Sequence, residues 1–219
     1  MPLPIKALVL FGSPGSGKGT QAKLLSTCLR VPHVSTGDML RERIQAGNCV
    51  GTAVVATMHA GSLVSDEVVN KLVLERLSQP DAAPGFILDG YPRTRAQAQF
   101  LIRWLDERGI HELVIHLVVD YNIIISRLNG RRQCPRCGTL YNINSRPPLV
   151  DEVCDLDGTK LVIRDDDREE VIRERLEAYE KQTRPLIEYF RENGRRLHEV
   201  NADNHPPEAL FEAISELIS

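Results

Sequence analysis

One glycine-rich segment, GSPGSGKGT at residues 12–20, constrains the fold of this chain more than any other. It follows the apolar run at 7–11 and leads into a segment whose apolar residues recur at helical spacing. A strand, a glycine-rich turn and a helix in this order predict a phosphate-binding loop, because glycine backbones can turn consecutive N–H groups inward around phosphate oxygens. Lys18 would add a positive charge at the β- and γ-phosphates. Gly19 stands where Ser or Thr usually follows the lysine, and Thr20 comes one position later.

Length, charge and cysteine content limit the classes of protein to which the chain can belong. At 219 residues, we expect one buried core with inserted lobes and no second full domain. A net charge of −3 argues against nucleic acid or anionic membrane as a partner. The apolar run at 7–11 is too short for a signal peptide or a membrane span. Five cysteines, an odd number, suit a reducing compartment, so we expect a cytoplasmic enzyme.

The pattern beyond the loop predicts strands that alternate with helices. Apolar strands at 86–88 and 113–119 end at Asp89 and Asp120, and a last strand is expected at 197–200. This α/β pattern predicts a parallel sheet flanked by helices, with ligands along the edge where the carboxyl ends of the strands meet. Asp89 is a candidate to hold Mg²⁺, directly or through its waters. Asp120 could do the same, but we favour a helix cap there because no glycine-rich loop follows it.

A set of arginines stands at helix ends, in loops or beside a cysteine-bearing insert. Its members are Arg41, Arg93, Arg127, Arg131, Arg164 and Arg175. Transfer of a phosphoryl group between polyphosphates brings many negative charges together, and planar guanidinium groups neutralise and orient them better than lysines do. Arg127 and Arg175 lie in charged helical segments and could equally be solvent-facing. Arg93, in a Gly-Tyr-Pro-Arg loop, is the stronger candidate.

Three of the cysteines are clustered in an insert at about 133–167 that is rich in Pro, Gly, Asn and Asp. Cys134 and Cys137 form a C-x-x-C pair, and Cys154 begins a second pair in which Asp157 replaces the other cysteine. This spacing predicts a tetrahedral Zn²⁺ site, and four protein ligands leave no open position, so the metal would be structural. The remaining cysteines are Cys28, expected in the core from its helical spacing, and Cys49, which has no partner in sight.

Taken together, these motifs are specific enough to compare with a known family. The segments GSPGSGKGTQ, STGDM and LDGYPRT, with Gln97 beyond the last of them and GRR before the insert, resemble adenylate kinase. The long bacterial form with a zinc-binding lid matches over essentially the whole chain, including the shifted Thr20. The resemblance implies a P-loop NTPase-type core at 1–35, 65–130 and 168–219, a helical NMP-binding lobe at 36–64, and a small lid with zinc knuckles at 131–167.

The same resemblance implies a role for individual residues. ATP would be held by Gly15, Ser16, Gly17, Lys18, Gly19, Thr20, Arg127 and Arg131, and by the backbone around Leu140 and Tyr141. AMP would be held by Thr36, Arg41, Ser62, Leu63, Val64, Gly90, Tyr91, Pro92, Arg93, Gln97, Arg164 and Arg175. The catalytic set would be Lys18, Arg93, Arg131, Arg164 and Arg175. The implied reaction is reversible transfer from MgATP to AMP, giving two ADP, in a monomer.

Other functions are weighed against this one. A nucleoside monophosphate kinase with another base preference, GTP:AMP or UMP/CMP, is the nearest alternative, but Gln97 favours adenine because a side-chain amide donates and accepts at once. A GTPase switch is disfavoured because no Asn-Lys-x-Asp motif follows a later strand. A zinc-ribbon nucleic-acid module is disfavoured because the chain is acidic and the lid has only Tyr141 for stacking. We expect ATP, AMP and ADP as partners, and neither nucleic acid nor membrane.

Overall fold

The computed structural model describes residues 6–46, 52–203 and 205–218, so Cys49 lies outside the described residues. Within these ranges the strands are β1 Ala7–Gly12, β2 His33–Ser35, β3 Phe86–Asp89, β4 Glu112–Val118, β5 Arg131–Gln133, β6 Leu140–Asn142 and β7 Leu197–Asn201. Five of them form one sheet in the order β2-β3-β1-β4-β7, and every neighbouring pair is parallel. The parallel sheet predicted from the sequence is confirmed.

Helices connect the strands and cover both faces of the sheet. In the described ranges they are α1 Lys18–Leu29, α2 Thr36–Gln45, α3 Thr52–His59, α4 Asp66–Leu77, α5 Arg95–Asp106, α6 Tyr121–Gly130, α7 Glu169–Ala178, α8 Leu186–Glu192 and α9 Pro207–Ile218. Short 3₁₀ turns lie at Pro80–Ala82 and Asp165–Asp167, and a π-helical turn at Tyr179–Thr183 follows α7. Of the helices in these ranges, none has the length and apolar character needed to cross a membrane.

The two faces of the sheet have separate cores. Alternate residues of β1 point to opposite faces, because side chains alternate along a strand. Val9 belongs to the core that includes Leu101 of α5, whereas Leu10 belongs to the core that includes Leu25 of α1 and Ile214 of α9. All six residues of β1 are therefore buried. This double burial explains why the strand is a continuous apolar run.

Two local predictions had different outcomes. Asp120 caps α6, with its carboxylate accepting from the Asn122 N–H at 2.8 Å, as favoured from the sequence. The core position expected for Cys28 was wrong, since its side chain is exposed. Cys28 lies in the last turn of α1, beyond the buried Ala22 and Leu25, and its neighbours Thr27 and Leu29 are exposed as well. Helical spacing alone does not predict at which residue the buried face of a helix ends.

The insert between α6 and α7 is built differently from the sheet. β5 and β6 form a short antiparallel pair, and Gln133 also bridges to Val162. Its small core contains only four buried residues among those described: Cys134, Tyr141, Cys154 and Leu161. So small a core needs additional cross-links to be stable.

Candidate active site

The glycine-rich loop joins the carboxyl end of β1 to the start of α1. Gly15 and Gly17 have φ values of 80° and 97°, which glycine adopts readily. A Cβ at Gly12 would lie 2.6 Å from the Leu117 carbonyl oxygen, so no side chain fits where β1 meets β4. The Nζ of Lys18 donates to the Gly12 carbonyl oxygen at 2.8 Å. The loop therefore combines a helix N-terminus with an ammonium group, which together attract anions.

A cleft of about 890 Å³ runs along this edge of the sheet. Its wall contains most residues to which the sequence analysis assigns a role: Gly15, Ser16, Gly17, Lys18, Gly19, Thr20, Thr36, Arg41, Ser62, Leu63, Val64, Asp89, Gly90, Arg93, Gln97, Arg127, Arg131, Leu140, Tyr141, Arg164 and Arg175. Pro92 instead lines a smaller adjoining cavity. The Tyr91 side chain lies in the core and donates to Asn70 at 2.6 Å. Tyr91 could therefore meet a nucleotide only through its backbone.

Aspartates hold two arginines of the cleft, Arg131 and Arg175, in place. Arg131 donates from two nitrogens to the completely buried carboxylate of Asp167. Arg175 donates to the same carboxylate at 3.0 Å and lies 3.1 Å from Asp166. These pairs bring the end of α6 and the start of β5 together with α7. The two guanidinium groups are thus oriented before any ligand contributes.

A second group of ion pairs joins α2 to the segment that precedes α7. Asp38 lies 2.7 Å from Arg41 and 3.6 Å from Arg164. Arg41 in turn lies 3.6 Å from Asp166. Although burial opposes the shift, Arg41 and Arg164 hold the pKa of Asp38 at about 2. Two separate segments of the cleft wall are therefore linked by charge.

The positive charges of the cleft are buried and crowded. Burial, opposed in part by Asp89, lowers the pKa of Lys18 to about 7, and the nearby Arg93 adds to this effect. Burial also lowers the pKa of Arg93 to about 10 and that of Arg164 to about 9. Since the charged forms are disfavoured by desolvation and mutual repulsion, a polyanionic ligand would relieve both costs.

Asp89 ends β3 beside the first turn of α1. Its Oδ2 lies 3.0 Å from the Nε2 of His33. A Cβ at Gly19 would lie 3.3 Å from the same oxygen, so the carboxylate stands directly against the glycine-rich loop. A carboxylate at the phosphate loop is a suitable Mg²⁺ ligand, directly or through water.

Gln97, the candidate for base recognition, is held at both ends of its amide. Its Oε1 accepts from the Arg93 N–H at 2.8 Å, and its Nε2 donates to Asp66 at 2.7 Å. Thr94 donates to the same carboxylate at 2.9 Å. An amide carries two hydrogens and two acceptor lone pairs, so Gln97 retains one of each for a ligand. Its orientation is set by the protein.

The four predicted metal ligands converge at one point of the insert. The Sγ atoms of Cys134, Cys137 and Cys154 and a carboxylate oxygen of Asp157 all lie within 4.8 Å of one another. The Cys137 and Cys154 sulfurs are 3.6 Å apart, close to the separation of about 3.7 Å expected for thiolates about 2.3 Å from a tetrahedral zinc. The two turns match, since Gly138 and Gly158 have φ values of 70° and 69°. The donor set fits zinc.

Comparison with known proteins identifies the family. The sequence model of the adenylate kinase family matches residues 10–195 of this chain. An adenylate kinase from Anaeromyxobacter dehalogenans is 46% identical over 212 residues, covering 96% of this chain and 98% of the relative. One from Thermoanaerobacter pseudethanolicus is 45% identical over 213 residues, covering 96% and 97%.

The chain belongs to the adenylate kinase family. It is an enzyme that transfers a phosphoryl group reversibly from ATP to AMP, giving two ADP. The nucleotides ATP, AMP and ADP are its ligands, and adenylate kinases use Mg²⁺ with ATP. The phosphate loop and the charged cleft described above are suited to this chemistry.

The sequence analysis did not identify the carboxylate partners of the site residues. Asp38 precedes Arg41 by three positions on a helix, a spacing that signals an ion pair. The acidic run after Arg164, residues 165–167, could also have been noticed. Asp66 gave no such signal, because it meets Gln97 across 31 positions of the chain. Its role follows only from the packing of α4 against α5.

Proposed function

We propose that Lys18, Arg93, Arg131, Arg164 and Arg175 stabilise the phosphoryl group as it passes from ATP to AMP. The observation that carries this proposal is that the five side chains share the wall of one cleft with the phosphate loop. In phosphoryl transfer, negative charge spreads over the equatorial oxygens, so positioning and positive charge suffice without a covalent intermediate. The aspartates that pair with Arg131 and Arg175 keep their guanidinium planes oriented.

We infer two nucleotide sites within the cleft. Residues 15–20, Arg127, Arg131 and the backbone at Leu140 and Tyr141 would bind ATP. Thr36, Arg41, residues 62–64, residues 90–93, Gln97, Arg164 and Arg175 would bind AMP. Support for the ATP site is the helix N-terminus that follows the loop, since it favours phosphate oxygens. Support for the AMP site is the pre-oriented amide of Gln97, which can both donate to and accept from adenine.

Asp89 would hold Mg²⁺ through its waters. When bound, the ion neutralises charge on the β- and γ-phosphates. The contact of 3.0 Å with His33 fixes the orientation of the carboxylate, and the absence of a side chain at Gly19 gives it access to the loop.

We further propose that residues 36–64 and 131–167 are lobes that close on a core formed by 1–35, 65–130 and 168–219. The ion pairs that join Arg41 to Asp166 and Arg164 to Asp38 support this, because each connects the two lobes. Closure would exclude water, which would otherwise accept the phosphoryl group.

The cysteine cluster would hold a structural Zn²⁺, since it offers four ligand atoms close together and structural zinc takes four. Reduced thiolates are required for this role, so the enzyme would work in the reducing cytoplasm. We also propose that it acts as a monomer, because one chain supplies every residue of the proposed site.

Arg175→Lys tests the proposed role of the arginines, since it keeps the charge but removes the planar fork that pairs with two oxygens. We expect the transfer rate to fall by about thirtyfold, or roughly 2 kcal/mol. The assay is coupled ADP formation, with circular dichroism to check folding. Arg168→Lys, at an exposed position before α7, is the matched control. A rate within about threefold of the wild type in Arg175→Lys would contradict the role.

Gln97→Ala tests base recognition. We expect the KM for AMP to rise by about tenfold or more while the KM for ATP barely changes, because a lost hydrogen bond in a buried site costs roughly 1–3 kcal/mol. Initial rates at varied AMP and varied ATP measure this. The exposed Gln182→Ala is the control. Equal effects on both nucleotides, or a wild-type enzyme that prefers UMP, would count against the assignment.

A further inference from the structure

A chain of hydrogen bonds lies beneath the phosphate loop, among residues that have no role so far. His116 on β4 is 6% exposed and pairs in register with Glu199 of β7. Its Nδ1 lies 3.0 Å from the Glu199 carboxylate, and its Nε2 lies 2.8 Å from the Tyr179 hydroxyl. The imidazole also packs against the ring of Phe11, the residue before the loop, with ring centres 4.7 Å apart. Both ring nitrogens are therefore engaged.

Elementary chemistry sets the direction of the two hydrogen bonds. A carboxylate only accepts, so Nδ1 of His116 carries the hydrogen and donates to Glu199. The neutral ring then accepts at Nε2 from the Tyr179 hydroxyl. Burial, despite the opposing effect of Glu199, lowers the pKa of His116, which keeps the ring neutral at pH 7. Arg191 donates to the other oxygen of Glu199 at 2.5 Å and completes the chain.

Tyr179 is the first residue of the π-helical turn, and Thr183 is the last. The Thr183 hydroxyl donates to the backbone carbonyl of Arg93 at 2.9 Å. The turn also follows directly on α7, which carries Arg175. Tyr179 and Thr183 line the cavity of about 70 Å³ that adjoins the cleft, together with Lys18, Arg93 and Arg175. Isolated π-helical turns occur often at functional sites.

We propose that His116 is a positioning residue for phosphoryl transfer. Held by Glu199, it anchors Tyr179 and thereby fixes the π-helical turn that supports Arg93 and continues from the helix of Arg175. This inference rests on the roles proposed above for the two arginines. His116 is absent from the cleft wall among the described residues, so it acts through Tyr179 and touches no substrate. A small displacement of a positioning group is enough to cost a large factor in rate.

Tyr179→Phe is the smallest test, because it removes only the hydroxyl. We expect the single-turnover rate of ADP formation, measured by rapid quench, to fall by about tenfold, with the KM for ATP within about twofold of the wild type. His116→Phe should show the same loss. The double variant should lose no more than either single variant, since each change removes the hydrogen bond between Tyr179 and His116. His116→Gln should recover most of the rate, because its amide can accept from Tyr179 and donate to Glu199.

His198→Asn is the matched control, on the same strand as Glu199. Its imidazole makes no hydrogen bond within the described part of the chain, and the variant should transfer at the wild-type rate. Thermal unfolding of every variant distinguishes an effect on the positions of the arginines from an effect on stability. If Tyr179→Phe and His116→Phe unfold at lower temperature but transfer at the wild-type rate, the positioning role is wrong. Additive losses in the double variant would also contradict it. Should His116→Phe fail to fold, Tyr179→Phe decides.

Failure of the arginine roles gives a different pattern. A wild-type rate in Arg175→Lys, combined with a loss in Tyr179→Phe, would contradict the role of Arg175 and support the anchoring of Arg93 by His116. A loss in Arg175→Lys with a wild-type rate in Tyr179→Phe would support the proposed site and overturn the inference about His116.

Discussion

Lys18→Met is expected to fold like the wild type and to lose at least about a hundredfold in kcat. The hydrogen-bond partners of its Nζ are the Gly12 and Ser13 carbonyls and the Ser16 hydroxyl, all within six residues of Lys18, so the change removes no hydrogen bond to a distant part of the chain. Burial lowers the pKa of Lys18 to about 7, so phosphate oxygens would stabilise its charged form. The Lys18 ammonium group would interact most strongly with the phosphoryl oxygens in the transition state. Its loss is therefore expected to lower kcat.

Initial rates at saturating MgATP and AMP measure the effect, and thermal unfolding checks the fold. Lys71→Met, at an exposed position on α4, controls for the loss of a surface charge and should retain wild-type activity. If folded Lys18→Met kept more than about a tenth of the wild-type kcat, the assignment of Lys18 to the phosphates would be wrong.

Removal of the proposed Zn²⁺ from the cysteine cluster is expected to lower the unfolding temperature by about 10 °C, since a loss of about 3 kcal/mol has roughly that effect in a chain of this size. Two of the four buried residues in the core of the insert, Cys134 and Cys154, are themselves proposed ligands. Without the metal, little apolar burial remains to hold the two turns together. The cluster lies outside the cleft wall among the described residues, so activity at moderate temperature should fall less than stability. Calorimetry with and without a chelator, together with metal analysis, measures both effects.

Ligand variants make the zinc test sharper. Asp157→Cys should preserve or tighten binding, because a thiolate suits this ion better than a carboxylate, whereas Cys154→Ser should weaken binding. Cys28→Ser, at the exposed end of α1, should leave metal content unchanged. Purified protein without zinc would contradict the structural site. So would a chelator that abolishes activity at once while the unfolding temperature stays constant.

Much of the fold could be predicted from the sequence because the signals are local. β1 is a continuous apolar run followed by glycines. The residues that determine the strand and the loop therefore lie within about a dozen positions of one another. The two turns of the cysteine cluster repeat one pattern, in which the N–H of Gly138 or Gly158 donates to the carbonyl of the cysteine four positions earlier. A turn of this kind depends on its own residues, so the spacing predicts it. The loop, the strands and the ligand set of the cluster belong to this class.

The sequence by itself determined where the phosphate loop, the buried strands and the two turns of the cysteine cluster would form. Only the tertiary structure decided that Tyr91 is in the core, that Asp167 pairs with Arg131, and that His116 joins Glu199 to Tyr179. These partners are 36, 83 and 63 positions apart in the chain. Such contacts depend on the order and register of parallel strands and on how helices return across the sheet. Hydrophobic periodicity encodes which face of an element is buried, but not which distant residue it will meet there.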